Sequence, residues 1–324
     1  MRECNIFLKS IVMIDNIYVI NLKESKDRWE SVKSQSHLLP VKPKRVEAVN
    51  GRVLVKSTES WLTPGVIGCF LSHRKVLKRV VANNDTHAMI CEDDVIFTKD
   101  FGKHLERVLK DLETQPDWDL VYLGCYGAWR PDKKFKMIAS ASDFFLGLNF
   151  KKPTSTIETR YLITPNKPLG SHCYIVNKRS AKKLLGLLKN YEGYDQALIR
   201  HLPSLKAFVS KKRIAFQNAT SDNSTLTVNF PRSLNTIVSR WKEDNITYDF
   251  YFSAPLGHIK GIIINVWLIV YVCLLVVLPH RYSTPHVLSF LGIEAMYSGV
   301  SKPLLQWGLL YAASVSLKRG FIQS

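Results

Sequence analysis

The segment AMICEDDVIF, residues 88–97, sets three consecutive acids, Glu92, Asp93 and Asp94, inside what otherwise reads as a buried β-strand. Carboxylates repel one another and resist removal from water, so the placement needs a reason. Alternate side chains of an extended chain point the same way, so Glu92 and Asp94 are expected to converge on one point. Two converging carboxylates are costly without a cation between them. Oxygen ligands favour a hard divalent ion, Mn²⁺ or Mg²⁺, and a small protein ligand set leaves that ion free to hold phosphate oxygens. The competing reading of an isolated acidic triplet is a solvated turn.

The surrounding pattern supports a strand. NIYVINL (16–22) is a β-branched run followed by SKDRWESVKSQSHL, with helical composition. KRVEAVNG (44–51) reads as a second strand closed by an Asn-Gly turn. LTPGVIGCFLSHRKVLKRVVANN (62–84) opens at Thr63-Pro64 and keeps helical apolar spacing to an Asn-Asn stop. Strands are expected at 86–92, 118–124 and 170–177, with one or two closing strands in 205–218. Helices are expected at 100–113, 178–190 and within 191–202. Such alternation predicts an α/β domain with a mainly parallel central sheet, whose ligands bind past the carboxyl ends of the strands. Residues 126–168 show no clear periodicity and read as a variable loop region.

The chain has 324 residues, 46% of them hydrophobic, and a net charge of +18. A basic body suggests an anionic partner: nucleic acid, an acidic membrane surface or a phosphorylated substrate. The basic residues are dispersed and carry no RNA-binding or zinc-finger signature, so nucleic acid is not expected. Six cysteines without a CxxC pair read as reduced core residues. The opening MRECNIFLKSIVMIDN is broken by Glu3, Lys9 and Asp15 and lacks a cleavage site, so a cytosolic body is the default.

A different region begins at Gly257. IIINVWLIVYVCLLVVL (262–278) has Asn265 as its one strongly polar residue, and Lys260 and Arg281 flank it. PLLQWGLLYAASVSL (303–317) ends in Lys318-Arg319. A membrane-spanning segment or a shallow hairpin is the expectation, against a buried core helix. The expected organisation is therefore an N-terminal extension (1–15), an enzyme-like domain (16–230), a linker (231–256) and an apolar, membrane-associated helical tail (257–324), with the body on the cytoplasmic side.

Six blocks in order carry a resemblance: IYVINLKESKDRWESV, RVEAVNGRVL, LTPGVIGCFLSHRKVLKRVV, AMICEDDVIF, GSHCYIVNKRSAKKLL and YDQAL, over roughly residues 16–202. Together they resemble the family 25 glycosyltransferases, the lipooligosaccharide biosynthesis type that also includes collagen galactosyltransferases. The resemblance implies a GT-A-like nucleotide-sugar-binding domain. It implies transfer of a hexose, galactose or glucose, from a UDP-sugar to a hydroxyl of a glycan or lipid-linked acceptor, with inversion. The triplet would then be the metal–diphosphate clamp, with Glu92 and Asp94 the ligands and Asp93 on the sugar or ribose.

Asp195, at the start of a helix where the family pattern has an acid, is the candidate base that takes the acceptor proton; its alternative is a helix cap. The family often has a proline before that acid, where this chain has Tyr194. Glu192 and Asp222 are reserves. The resemblance puts Ser72 and His73 near the donor nucleotide. Gly68 would allow close backbone approach, Arg28 could fork onto phosphate, and Asn21 could meet base or ribose. His172 and Tyr174 could line the acceptor side or pack in the core. The sequons at Asn218, Asn223 and Asn245 matter only in a lumenal body. Two non-enzymatic readings compete: a membrane-associated scaffold that kept the fold, and a basic peripheral protein that binds acidic lipids.

Overall fold

The computed structural model describes residues 14–54, 62–126, 156–166, 168–218, 230–240, 242–243, 246–253, 255–259 and 262–323. The chain divides into two compact units, residues 1–49 with 69–217, and residues 50–68 with 218–324.

The first unit is built on a seven-stranded sheet. Its strands are β1 (Asn16–Asn21), β2 (Pro43–Glu47), β3 (Ala88–Glu92), β5 (Leu120–Tyr126), β6 (Leu162–Ile163), β7 (Leu169–Val176) and β8 (Ala207–Ser210), in the order β2-β1-β3-β7-β5-β8-β6. β1 runs parallel to β2 and β3, and β5 parallel to β8, while β7 is antiparallel to both of its neighbours. The sheet is thus mainly parallel, as the alternating pattern predicts. β4 (Val95–Phe97) leaves this sheet and pairs with β9 (Ala215–Gln217).

Both faces of the sheet are covered, which explains why its strands read as continuous apolar runs. Successive residues point to opposite faces. Tyr18, Ile20 and Ile90 pack with Phe70, Leu77 and Val80 of helix α2 (Pro64–Asn83), and with residues of α4 (Lys178–Leu187) and α5 (Tyr194–His201). Ile17, Val19, Met89 and Cys91 face the other way, toward α1 (Lys26–Ser34) and the apolar stripe Phe101, Leu105, Val108 and Leu112 of α3 (Phe101–Leu112). Glu92 continues the Ile90 row, so its side chain emerges on the face of α2 and α5.

The extended-chain argument for the triplet needs correction. β3 stops at Glu92, and Asp93-Asp94 form a turn into β4. Gln35 fixes that turn from beyond: its Nε2 donates to Val95 O at 3.1 Å, and its Oε1 accepts from Phe97 N at 2.8 Å.

The second unit contains α6 (Arg232–Val238), the short pair β10 (Lys242–Glu243) and β11 (Ile246–Thr247), and α7 (Tyr248–Ser253). There follow the hairpin β12 (Gly257–Ile259) with β13 (Ile262–Ile264), then α8 (Val266–Val277), α9 (His280–Ser298) and α10 (Lys302–Gln323). Phe230, Leu268, Tyr271, Leu275, Leu304 and Trp307 form its core. Residues 231–256, expected as a linker, therefore carry helices and strands of this unit, because Phe230 belongs to the same core as α8 and α10.

The spanning expectation for 262–278 is also corrected. Ile262–Ile264 is a strand, and the Asn265 side chain accepts from Leu268 N at 2.9 Å, starting a helix of 12 residues. At 1.5 Å per residue such a helix covers about 18 Å, against about 30 Å of bilayer core. Among the described residues no helix is long and apolar enough to cross a membrane.

Candidate active site

The acidic turn lies past the carboxyl end of β3, where open α/β sheets bind ligands. Its three carboxylates have different surroundings. Asp93 is held on both oxygens: Asn21 Nδ2 donates to Oδ2 at 2.6 Å, and Arg28 Nη1 to Oδ1 at 2.8 Å. Asn21 is in turn tied to the Ser25 carbonyl at 2.9 Å and accepts from Arg45 Nε at 2.6 Å. Asn21, Arg28 and Asp93 are therefore brought together, with Asp93 positioning the other two.

Glu92 faces α2. Its Oε1 accepts from Ser171 Oγ at 3.0 Å and lies 3.5 Å from His73 Nε2. Burial alone would raise this carboxyl, but hydrogen bonding and charge from His73, then His172 and Ser171, outweigh it and hold Glu92 below its ordinary value. His73 is anchored on its other nitrogen, 3.0 Å from the Tyr174 hydroxyl, which lies 2.9 Å from the Tyr194 hydroxyl. The His73 ring also stacks on Tyr194 with centroids 4.0 Å apart. Tyr174 thus belongs to a buried relay behind Glu92. His172 is buried, and its burial pushes the imidazole down to about 4.

Asp94 is the least satisfied of the three. Gln217 Nε2 donates to Oδ2 at 3.1 Å, a contact set by the Val95–Gln217 register of β4 and β9. Oδ1 is buried with no hydrogen-bond partner among the described residues. Burial, and then the charge of Glu92, push this carboxyl up to about 7. The two side chains remain close enough to repel although the strand ends between them. Arg28 Nη1 stands 4.0 Å from Asp94, and Arg28 Nη2 is a second buried group without a partner among the described residues. A carboxylate with one unbonded oxygen, 4.0 Å from a guanidinium with one unbonded nitrogen, suits a divalent cation carrying an anionic ligand.

Asp195 occupies the first turn of α5, but the cap position is Gly193. The Asp195 carboxylate accepts from Gly170 N at 3.0 Å and Gln196 N at 2.9 Å, joining helix to strand. Gly170 has φ +80°, and a Cβ there would press on Tyr126 and His172 at 3.2–3.3 Å, so glycine is needed. Burial raises the Asp195 carboxyl despite these bonds. Of the reserves, Glu192 is paired with Arg200 at 2.8 Å, and Asp222 lies outside the described residues.

Ser72 is buried and accepts from Val49 N at 2.8 Å, fixing the loop after β2. Gly68 lies one turn earlier on α2. The close approach there involves Gly51, whose Cβ would fall 1.7 Å from Pro64 O and 3.0 Å from Gly68 N. Three participants escaped the sequence reading. Cys69, taken for a core residue, places its sulfur with His73 Nε2 and a Glu92 oxygen so that all lie within 4.8 Å; its spacing of four from His73 on a helix was the available signal. Ser171 and Gln217 depend on strand register and left no local trace.

A sequence model of glycosyltransferase family 25 (LPS biosynthesis protein) matches residues 14–199, more than half the chain and the site just described except Gln217. The chain belongs to glycosyltransferase family 25. Among its relatives, mouse procollagen galactosyltransferase 2 is 35% identical over 128 residues, 34% of this chain and 20% of the relative. Procollagen galactosyltransferase 1-A of Xenopus laevis is 36% identical, covering 34% and 21%. Human inactive glycosyltransferase 25 family member 3 is 32% identical over 133 residues, covering 36% and 22%. The matched part of this family 25 chain spans about a fifth of the length of these relatives.

Proposed function

We propose that the chain is a metal-dependent, inverting hexosyltransferase. It moves galactose or glucose from a UDP-sugar to a hydroxyl of a glycan or glycolipid acceptor. The observation that carries this reading is that Asp94 and Arg28, which approach to 4.0 Å at the carboxyl end of the sheet, each keep one buried atom, Oδ1 and Nη2, without a partner among the described residues. The galactosyltransferase names of the relatives favour galactose.

Glu92 and Asp94 would hold the cation, Mn²⁺ or Mg²⁺. Bound there, it supplies Lewis-acid stabilisation of negative charge on the departing diphosphate, a contribution of several kcal/mol. The oxygen pair suits such a hard ion, whereas Cys69 and His73 beside Glu92 would suit a softer one. Arg28, steered by Asp93, presents Nη2 for a charge-assisted bond to phosphate. Asn21, Gly68, Ser72 and His73 shape the donor side, the last by fixing Glu92. Asp195 takes the acceptor proton; a carboxyl raised by burial is a better base near neutral pH than an ordinary one.

The test is release of UDP from a panel of UDP-sugars by the full chain, with Mn²⁺ and with EDTA. Release from one sugar, lost in EDTA and in Asp94→Asn, is expected. Asp195→Asn should keep donor binding and lose turnover by about 10²–10⁴-fold. A second reading, a binding protein that retains the fold, is favoured by the relatives named inactive at comparable identity. Failure to bind UDP in the presence of Mn²⁺ would move that reading to the front.

A further inference from the structure

Helix α8 contains no polar residue except Cys273 and Tyr271: its sequence is VWLIVYVCLLVV. Leu268, Tyr271 and Leu275 recur at helical spacing and are buried in the second unit's core. Val272, Leu274, Val276 and Val277 remain exposed, Val277 by 75%. A helix apolar all round is normally covered on every side. α10 repeats the arrangement: Leu304 and Trp307 point inward, while Leu305 and Leu309 are exposed, Leu309 by 70%. Leu304, Leu305, Gly308 and Leu309 line an open apolar groove of about 470 Å³ with Leu291 of α9. Isolated exposed apolar residues are ordinary, but runs of them on successive turns of two helices are not.

The charges say what covers them. Residues 256–324 hold five basic residues, Lys260, Arg281, Lys302, Lys318 and Arg319, and one acid, Glu294. Glu294 is wholly buried and accepts from Arg232 N and Ser233 N, both at 2.8 Å. By sequence the segment is therefore net basic, its one acidic side chain is buried, and Lys318 donates to the Leu275 and Leu278 carbonyls at the end of α8, at 2.6 and 2.9 Å. A second copy would bring like charge against like. An anionic bilayer offers acyl chains for the apolar faces and phosphate for the cations.

We propose that the helical end of the second unit is an in-plane docking surface for an anionic lipid bilayer. The outer faces of α8 and α10 enter the headgroup–acyl boundary, and the groove beside Leu309 accepts part of an acyl chain. This requires no helix to cross the membrane, and it holds whether or not the chain is a transferase.

Cys273 supplies a test without mutation, being an exposed free thiol on α8. The full chain is mixed with vesicles of phosphatidylcholine, alone or with phosphatidylglycerol, and modification of Cys273 by a water-soluble maleimide is followed by peptide mass spectrometry. Modification should slow at least about tenfold with the anionic vesicles and less with the neutral ones. The protein should also float with the anionic vesicles, and salt should weaken flotation. Val276→Asp with Leu309→Asp, both outward-facing, should abolish flotation while circular dichroism stays unchanged. Equal Cys273 modification with and without anionic vesicles would overturn the proposal. So would protection that needs no lipid and accompanies a dimer in light scattering, which would assign the face to a second copy.

Discussion

Asp94 and Glu294 are carboxylates largely withdrawn from water, one in each unit, and their surroundings are opposite. Glu294 has two backbone N–H groups and the Ser233 hydroxyl, so the N-terminus of α6 is closed around it. Asp94 has one amide and a bare oxygen, beside a second carboxylate and a guanidinium nitrogen that also lacks a partner. Where polar groups are saturated, the acid holds the fold together. Where they are left open, the fold carries a cost that a ligand can remove. The second unit reverses the pattern for apolar groups: Glu294 is sealed inside while leucines and valines of α8 and α10 face outward.

The sharpest way to break this contrast is to remove the saturated acid. Glu294→Ala should destabilise the protein by about 4 kcal/mol, because the bonds from the Arg232 and Ser233 N–H groups and the Ser233 hydroxyl to its carboxylate all vanish. Thermal unfolding should show a drop of many degrees. A change near zero would mean that water or a neighbouring side chain already shares those donors.

The same contrast marks what the sequence could disclose. The strand–helix alternation, the parallel character of the sheet and the acidic triplet at a strand's end were all legible, because period and composition are local. The convergence of Glu92 and Asp94 was inferred from an extended chain, whereas Asp93 and Asp94 turn. Asp94 takes its place because β4 pairs with β9, more than a hundred residues away, which brings Gln217 to its carboxylate. Long-range register likewise hid Ser171 and Gln217. In the second unit, the 17-residue apolar run read as one object, and Asn265 read as a polar blemish in it. Its N-cap geometry splits the run into strand and helix, and cap chemistry at Asn265 was the available warning.

Asp94 should respond in the opposite sense to Glu294. Its carboxyl is raised to about 7 in the fold, against about 3.9 unfolded. Between those values the folded state holds a proton that the unfolded state has released. Stability is therefore fully present below about pH 4 and is lost as pH rises through about 7, by on the order of 2–4 kcal/mol in total. Asp94→Asn cannot ionise, so in EDTA it should unfold at a higher temperature than the parent protein at pH 8 and match it near pH 4. Mn²⁺ should raise the parent at pH 8 and leave the variant unmoved. A variant less stable than its parent at pH 8 would show that the ionised carboxylate is held by a partner, and the metal assignment would lose its support.

The smallest effect concerns the residue that sets where α8 begins. The Asn265 side chain accepts from Leu268 N, and replacing an Asn N-cap by Ala costs about 1 kcal/mol. Asn265→Ala should lower the unfolding temperature slightly, and Asn265→Asp should restore it, since an anion at a helix N-terminus is favourable. The substitution also asks whether the cap alone keeps the apolar run divided. If Ala lets the helix extend back through Ile264, circular dichroism gains helical signal at the expense of the β12–β13 hairpin. An unchanged spectrum places the division in the hairpin's own pairing, Gly257 with Ile264 and Ile259 with Ile262, and leaves Asn265 as a helix cap alone.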